Sequence, residues 1–182
     1  MNSDEKLKKE YYFKNINFNN KGYNDDQIRS QGRILGALID FVIPVIIFII
    51  VGIDYRLNYL IIRIDTQIYA GLVFLFSCFL ILWAMMANDK FTAIKVDEKS
   101  DRVIVCSGPY RYIRHPGYAG AVLFYFTLPL FLGSLWAFIP GVINSGLILY
   151  YTDLEDKMLN QENEGYSDYI HKVPWRIIPG IW

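Results

Sequence analysis

Three long blocks of this chain are almost free of charged side chains, and they limit what it can fold into. Ile34 to Ile53 is 20 residues with a single charge, Asp40, and Ile68 to Ala87 is 20 residues with none. A helix that crosses the hydrocarbon core of a bilayer needs roughly 20 residues. Both blocks are therefore predicted to be membrane spans, at 34–53 and 68–87.

The third block, from Gly117 to Tyr151, is 35 uncharged residues. A single helix of that length would extend roughly 50 Å at about 1.5 Å per residue, well beyond a hydrocarbon core of about 30 Å. The block is predicted to fold back at Gly133-Ser134 into two short spans, 117–132 and 135–151. The predicted fold is all-α, a polytopic membrane protein with about four transmembrane helices.

The distribution of basic residues predicts the orientation of these spans. Of the 18 Lys and Arg residues, only Arg56 and Arg63 lie between the first two spans, and the other 16 lie in the N-terminal segment, the long loop and the tail. Because basic residues concentrate on the cytoplasmic side, both termini are predicted to be cytoplasmic. Residues 1–33 form a polar cytoplasmic or interfacial segment, 34–182 a single membrane domain, and 152–182 its cytoplasmic C-terminal segment.

Two classes of partner are not expected. The formal net charge is +0, so the chain has no overall field that would draw it to nucleic acid. Cys78 lies inside the second predicted span and Cys106 in the long loop, and neither makes a metal-ligand spacing with His115 or His171. No nucleic-acid partner and no metal site are predicted.

A polar and aromatic cluster, residues 107–118, lies where the long loop meets the third predicted span. Pro116 suits the first position of a helix, so the free N–H groups at the start of that span are expected to face the cytoplasm beside Arg114 and His115. This arrangement suits an anion. In the alternative interpretation, the arginines only fix the topology and the tyrosines form an interfacial belt.

An acidic cluster follows the fourth predicted span. Thr152 and Glu155 have the spacing of a capping box, which would make Glu155 the start of a separate cytoplasmic helix. If the fourth span continues unbroken instead, Glu155 lies on a helical face that can turn toward the cluster at 107–118. The unbroken helix is the preferred interpretation.

These residues, in this order, carry a resemblance to a known group of membrane enzymes. The motifs are Gly108-Pro109-Tyr110, Arg114-His115-Pro116-Gly117-Tyr118, an apolar hairpin, Leu154-Glu155-Asp156, Gly165-Tyr166, Tyr169 and Arg176. Over roughly residues 100 to 182 the chain resembles the isoprenylcysteine carboxyl methyltransferase and phospholipid methyltransferase superfamily. The acidic pair is commonly Glu-Glu in that superfamily, whereas here it is Glu155-Asp156.

The resemblance implies S-adenosylmethionine as methyl donor, bound at the cytoplasmic membrane face between the start of the third span and the segment after the fourth. It implies a lipid-like or prenylated acceptor that arrives from the membrane lipids. The implied catalytic residues are Arg176 and Glu155, and the implied cofactor-binding residues are Tyr110, Arg114, His115, Pro116, Tyr118, Glu155, Asp156, Tyr166 and Tyr169.

The chemistry of these side chains is compatible with the donor. Arg114 and His115 can hold its carboxylate, and Glu155 and Asp156 can take its ammonium or ribose hydroxyls. The tyrosines can pack on adenine or face the sulfonium. Arg176 can orient a carboxylate acceptor while Glu155 holds Arg176 in turn.

Other interpretations stay open at this stage. A non-catalytic small membrane protein that retains the fold is the alternative function, and it predicts intact topology without cofactor binding. Asp40 is expected to reach the interface or to find a polar partner such as Asn144, although an ionisable residue within a span is also a functional candidate. The acceptor could be a prenylcysteine carboxylate, a phospholipid amine or a small thiol.

Overall fold

A computed structural model of the chain describes residues 35–36, 38–57, 61–88, 104–162 and 164–182. Within these ranges the chain is helical and contains no strand, which confirms the predicted all-α class. The polar segment predicted at residues 1–33 lies outside the described residues.

The first two helices form an apolar pair. Helix α1, Ile43–Leu57, is preceded by a π-helical turn, Leu38–Val42, and helix α2 is Ile64–Ala87. Leu38–Leu57 and Ile64–Ala87 are long and apolar enough to cross a membrane, by length and composition. Many of their large apolar side chains lie on the surface, an arrangement that suits contact with lipid.

The ends of these two helices differ from the predicted bounds by about one turn. The first helix continues to Leu57 because Asp54 is buried and accepts a hydrogen bond from the Ser134 hydroxyl, so this acid does not end the apolar segment. The second begins at Ile64 rather than 68, since the Asp65 carboxylate in its first turn accepts the N–H of Thr66.

The uncharged block folds back at Gly133-Ser134, as predicted. Helix α3, Pro116–Phe131, ends in a turn where Gly133 has φ 81°, a left-handed conformation that favours glycine. The Ser134 hydroxyl accepts the N–H of Ala137 at 3.0 Å and so begins the return. Because α3 has 16 residues, it extends only about 24 Å, less than a hydrocarbon core of about 30 Å.

Helix α4, Phe138–Glu162, runs unbroken past the uncharged block, which confirms the preferred interpretation. It continues for about three turns beyond Tyr151. The Thr152 hydroxyl donates to the carbonyl of Ile148 at 2.8 Å, so Thr152 lies within the helix and does not cap a new one. A short helix α5, Glu164–Lys172, follows.

Small residues allow the helices to approach closely. Ala70, Ser77 and Ala84 recur at seven-residue spacing on α2 and are buried. A Cβ at Gly120 of α3 would lie 2.6 Å from Cγ1 of Ile81, and a Cβ at Gly141 of α4 would lie 2.5 Å from the Tyr125 carbonyl. Close contact between membrane helices commonly depends on such small side chains.

The helices have two polar ends. At one end, the Ile62 N–H donates to the Gly133 carbonyl, near the contact between Asp54 and Ser134. At the other end lie the start of α3, the C-terminal turns of α4, and α5. The two polar clusters of the sequence therefore meet at one end of the molecule, opposite the Gly133-Ser134 turn.

Candidate active site

The chain entering α3 is held in place by backbone bonds to the C-terminal tail. A 3-10 turn, Gly108–Arg111, precedes this segment, and Pro116 occupies the first turn of α3. The N–H of Arg114 donates to the carbonyl of Trp175, and the N–H of His115 donates to that of Arg176, each at 2.9 Å. These bonds fix the backbone of the Arg114-His115 step against the tail.

Asp156 is the centre of a buried polar network. Its two carboxylate oxygens accept hydrogen bonds from Nε and Nη2 of Arg114 at 2.9 and 2.8 Å. They also accept the hydroxyl of Tyr166 at 2.7 Å and the Nε of Arg176 at 2.8 Å, and Nε2 of His115 lies 3.0 Å from Oδ1. The Asp156 residue is only 3% exposed. Four side chains from three segments thus converge on one carboxylate.

This network stabilises the ionised form of Asp156. Burial alone would raise the pKa of Asp156, but the hydrogen bonds from His115, Arg114, Tyr166 and Arg176 together hold that pKa well below its usual range. Since an ionised carboxylate only accepts hydrogen bonds, the Nε2 of His115 carries a hydrogen in this contact.

The arrangement changes the expected roles of Arg114 and His115. Both are buried, and both direct side-chain nitrogen atoms to Asp156. The remaining Nη1 of Arg114 donates to the carbonyls of Val173 and Pro174 at 2.8 and 2.7 Å. The anion that these two residues hold is therefore an acid of the chain itself, where the sequence predicted an external carboxylate.

Arg176 also has different partners from those expected. The predicted contact was with Glu155, but Nε of Arg176 donates to Asp156 and its Nη1 lies 3.0 Å from Oδ1 of Asp153. The guanidinium carbon lies 5.3 Å from the centre of the Trp182 ring. Arg176 points to the neighbouring acids because Asp153 and Asp156, three positions apart, share one face of α4.

Glu155 has the opposite environment from its neighbour Asp156. It is 2% exposed, and its Oε2 has no hydrogen-bond partner among the described residues. Its carboxyl group interacts with the phenol of Tyr118 and with His115. Burial raises the pKa of Glu155, against the opposing effects of His115 and Tyr118. A buried acid with an unused oxygen is costly unless something else binds it.

Aromatic rings lie beside Glu155. The ring of His115 stacks on that of Tyr118 with centroids 5.8 Å apart, and Tyr118 meets Tyr151 edge to face at 5.9 Å. Both tyrosines interact electrostatically with Glu155. A carboxylate among aromatic rings is a suitable environment for a cation.

The remaining predicted tyrosines join α5 to the rest of the site. Tyr166 and Tyr169 of α5 are buried and pack with ring centroids 5.7 Å apart. The Tyr169 hydroxyl donates to the backbone carbonyl of Tyr110 at 2.7 Å, and this bond joins α5 to the 3-10 turn. Burial raises the pKa of both Tyr166 and Tyr169, so each phenol stays protonated and donates.

Comparison with known protein families assigns a family to the region that contains much of this site. Residues 66–162, more than half of the chain, match the phospholipid methyltransferase family. The chain belongs to the phospholipid methyltransferase family. A search of curated proteins and a search of solved structures each found no match. Membership confirms the resemblance seen in the sequence and indicates a membrane methyltransferase.

The family match and the sequence resemblance overlap over roughly residues 100–162, but the match begins earlier in the chain and the resemblance ends later. The match includes most of the second apolar helix, which lies outside the region of the sequence resemblance, and it ends before α5. His115, Tyr118, Glu155 and Asp156 lie within it, whereas Tyr166, Tyr169 and Arg176 lie beyond it.

Sequence reasoning missed two contributors to the site. Tyr151 was assigned only to the fourth span, although it lies one helical turn before Glu155, a spacing that places both on one face of α4. Asp153, in the acidic cluster that follows the fourth predicted span, pairs with Arg176, and the sequence did not predict this contact. The helical spacing in the sequence could have identified Tyr151, whereas the pairing of Arg176 depends on the path of the tail.

Proposed function

We propose that this phospholipid methyltransferase family member transfers a methyl group from S-adenosylmethionine to a lipid-like or prenylated acceptor. The observation that carries this proposal is the Oε2 atom of Glu155, which is buried and unpartnered beside His115 and Tyr118. When bound, the donor supplies a methyl group on a sulfonium, an electrophile that needs no covalent enzyme intermediate.

Residues at the start of α3 and on α4 fit the donor's functional groups. Glu155 can accept a hydrogen bond from the donor's ammonium, which would use the free Oε2. The first N–H groups of α3, at Gly117 and Tyr118, can hold its carboxylate at the positive end of the helix dipole. Tyr118 and Tyr151 present ring surface to a sulfonium.

The Asp156 network has a positioning role in this proposal. By binding Arg114, His115, Tyr166 and Arg176, it fixes the start of α3 against α4 and the tail. Of the residues implied by the resemblance, Glu155 and Tyr118 are thus assigned to the donor. Arg114, His115, Pro116, Asp156, Tyr166 and Arg176 hold these residues in place, and Tyr110 and Tyr169 join the 3-10 turn to α5.

We also infer the orientation from the sequence. The hairpin of α3 and α4 forms two further short spans, and the site lies at the cytoplasmic membrane face within one membrane domain, 34–182. This follows from the concentration of Lys and Arg on that side of the predicted spans. Acceptors then enter from the lipid.

Donor binding by the purified protein in lipid nanodiscs tests the proposal. Glu155→Gln keeps the shape of the side chain but removes its charge, and we expect it to weaken S-adenosylmethionine binding by about tenfold to a hundredfold, since a hydrogen bond to a charged group contributes about 1.5–3 kcal/mol. Asp65→Asn is the control, because Asp65 is an exposed acid at the far end of α2.

Two outcomes would contradict the proposal. One is a folded wild-type protein that binds no S-adenosylmethionine, which would favour the non-catalytic alternative. The other is unchanged donor affinity in Glu155→Gln, which would remove Glu155 from the donor site. Folding is checked in both cases by the apparent melting temperature of the same sample.

A further inference from the structure

The tail, residues 173–182, is apolar for a segment that the sequence assigns to the cytoplasm. It contains two tryptophans and three isoleucines, and its only charged side chain is Arg176. The Arg176 guanidinium is paired with Asp153 and Asp156 of α4. With this charge neutralised inside the protein, the composition of the tail suits a bilayer interface, where tryptophan is enriched.

The tail packs against the apolar part of the helices rather than beyond their ends. Ile177 is buried and forms a cluster with Ile113 and Ala119. Leu80 of α2 and Leu149 of α4 pack against this cluster. Leu80 lies two turns before the end of α2, which is about 10 Å at 1.5 Å per residue. The tail is therefore level with residues that a bilayer would cover.

Two other isoleucines of the tail lie on the protein surface. Ile178 and Ile181 are 46% and 76% exposed. On α2, Leu82 and Met86 lie within two turns of Leu80 and are also largely exposed. Because α2 is long and apolar enough to cross a membrane, this surface of α2 suits contact with lipid. Acyl chains are the occupant that continuity with this surface favours for the tail.

The tail backbone pairs most of its polar groups within the protein. Non-helical backbone at membrane depth requires such partners, since lipid offers none. The four carbonyls of residues 173–176 accept hydrogen bonds from Arg114 and His115. The Trp182 carbonyl accepts hydrogen bonds at 3.0 Å from the N–H groups of three residues, Arg176, Ile177 and Ile178. A segment surrounded by water would not need this pairing.

A tail that lies in water would account for only part of these features. Exposed isoleucines occur singly on many soluble proteins, so Ile178 and Ile181 alone do not require lipid. The position of Ile177 in the same cluster as Leu80 adds the depth, because a bilayer that covers this part of α2 also reaches the tail.

We propose that residues 173–182 form an interfacial anchor that dips into the leaflet at this end of the helices, with Ile178 and Ile181 against lipid acyl chains. Because the tail carbonyls bind the Arg114-His115 step, the bilayer holds the start of α3 in place through this anchor. The tail stays on the side of the membrane that the sequence predicts, but it lies within the lipid. The anchoring does not depend on methyl transfer.

Spin labels in lipid nanodiscs measure the depth of the tail. A single nitroxide is attached at Ile181→Cys, in a background where Cys78 and Cys106 are replaced by serine. Its collisions with oxygen, which concentrates in lipid, are compared with its collisions with a water-soluble nickel chelate. Leu75→Cys, exposed at the middle of α2, is the lipid control, and Ser167→Cys, exposed on α5, is the water control. We expect the oxygen-to-nickel ratio at 181 to exceed that at 167 several-fold and to approach that at 75.

Hydrogen exchange in the same nanodiscs measures whether the tail holds the start of α3. Ile181→Asp places a charge where the anchor contacts lipid, and it should raise exchange at the Arg114 and His115 amides about tenfold, the effect of losing the burial of one isoleucine side chain. Ile181→Leu keeps the apolar contact and should leave this exchange unchanged. Ser167→Asp adds the same charge at an exposed position of α5 and should also leave it unchanged.

Three outcomes would overturn the anchor. A label at 181 that behaves like Ser167→Cys would place the tail in water. A label protected from both oxygen and nickel would show that protein covers Ile181, either another segment of the chain or a second copy. Equal exchange in Ile181→Asp and the wild-type protein would show that the bilayer does not hold the start of α3. Ile178→Cys provides a second label position should Ile181→Cys fail to fold.

These measurements use neither the methyl donor nor an acceptor. A protein whose tail lies in lipid but that binds no S-adenosylmethionine would refute the proposed function and support the anchor. Donor binding together with a tail in water would have the opposite meaning.

Discussion

Glu155 and Asp156 are neighbours in the chain and both are buried, yet only Asp156 has its carboxylate oxygens filled by hydrogen bonds. Asp156 accepts from Arg114, Tyr166 and Arg176 and contacts His115, whereas Oε2 of Glu155 has no partner among the described residues. Successive positions on a helix point about 100° apart, so one acid faces the tail while the other faces Tyr118. This division separates a residue that stabilises the fold from one that is available for a ligand.

Asp156→Asn should destabilise the protein strongly. The substitution leaves the buried guanidinium of Arg114 without its carboxylate, and breaking a buried ion pair in this way costs about 3–5 kcal/mol. Thermal unfolding in detergent micelles checks this expectation. Asp65→Asn removes an acid from an exposed pair with Arg63 and should change stability by less than about 1 kcal/mol. Equal effects of the two substitutions would contradict the network described for Asp156.

The two acids should give stability opposite dependences on pH. Folding lowers the pKa of Asp156. The contribution of Asp156 to the free energy of unfolding is therefore complete above the ordinary Asp pKa of about 3.9, and it is lost as the pH falls below that value. Folding raises the pKa of Glu155, so its contribution to the free energy of unfolding is complete below the ordinary Glu pKa of about 4.3 and is lost as the pH rises through the folded-state pKa.

Melting temperatures measured from pH 3 to pH 8 test these signs. Relative to the wild-type protein, Glu155→Gln should become increasingly stable as the pH rises above about 4, because the unfavourable ionisation of a buried acid is removed. Asp156→Asn should lose less stability than the wild-type protein as the pH falls below about 4. A constant difference between either variant and the wild type across this range would contradict the corresponding pKa direction.

Much of the fold was predictable because charge is costly within a membrane. The uncharged blocks located the apolar helices and the return at Gly133-Ser134. The helix ends were less predictable, since the first helix continues through Asp54 once the Ser134 hydroxyl is available to it. That contact joins residues 80 positions apart, and local sequence contains no sign of it.

The sequence predicted which residues form the candidate site better than it predicted which of them pair with each other. The sequence placed His115, Tyr118 and Glu155 at the same end of the molecule, and the structure brings them together. The sequence did not indicate that Arg114 and His115 would bind Asp156, because the choice of Asp156 over Glu155 depends on the rotation of α4 about its axis. The sequence also could not place Arg176, whose backbone carbonyl accepts a hydrogen bond from the start of α3.

Two glycines of α4 should respond differently to the same substitution. A Cβ at Gly141 would lie 2.5 Å from the Tyr125 carbonyl, whereas a Cβ at Gly146 would have no neighbour within 4 Å. Gly141→Ala should therefore destabilise the hairpin by about 1–3 kcal/mol, the usual cost of overpacking. Gly146→Ala should be neutral or stabilising by up to about 1 kcal/mol, because alanine favours helix. If both variants melt at the same temperature, α3 and α4 are not in close contact at Gly141.

Trp182 should influence the site through Arg176. The guanidinium carbon lies 5.3 Å from the centre of the indole ring, and the Trp182 carbonyl accepts the N–H groups of Arg176, Ile177 and Ile178 at 3.0 Å. Trp182→Ala should lower the free energy of unfolding by about 0.5–2 kcal/mol, the range for such a cation–π contact, while Trp182→Phe should retain part of this contact energy. Because the tail also binds the backbone of His115, hydrogen exchange at the His115 amide should increase in Trp182→Ala. Unchanged exchange there would show that the start of α3 is held independently of Trp182.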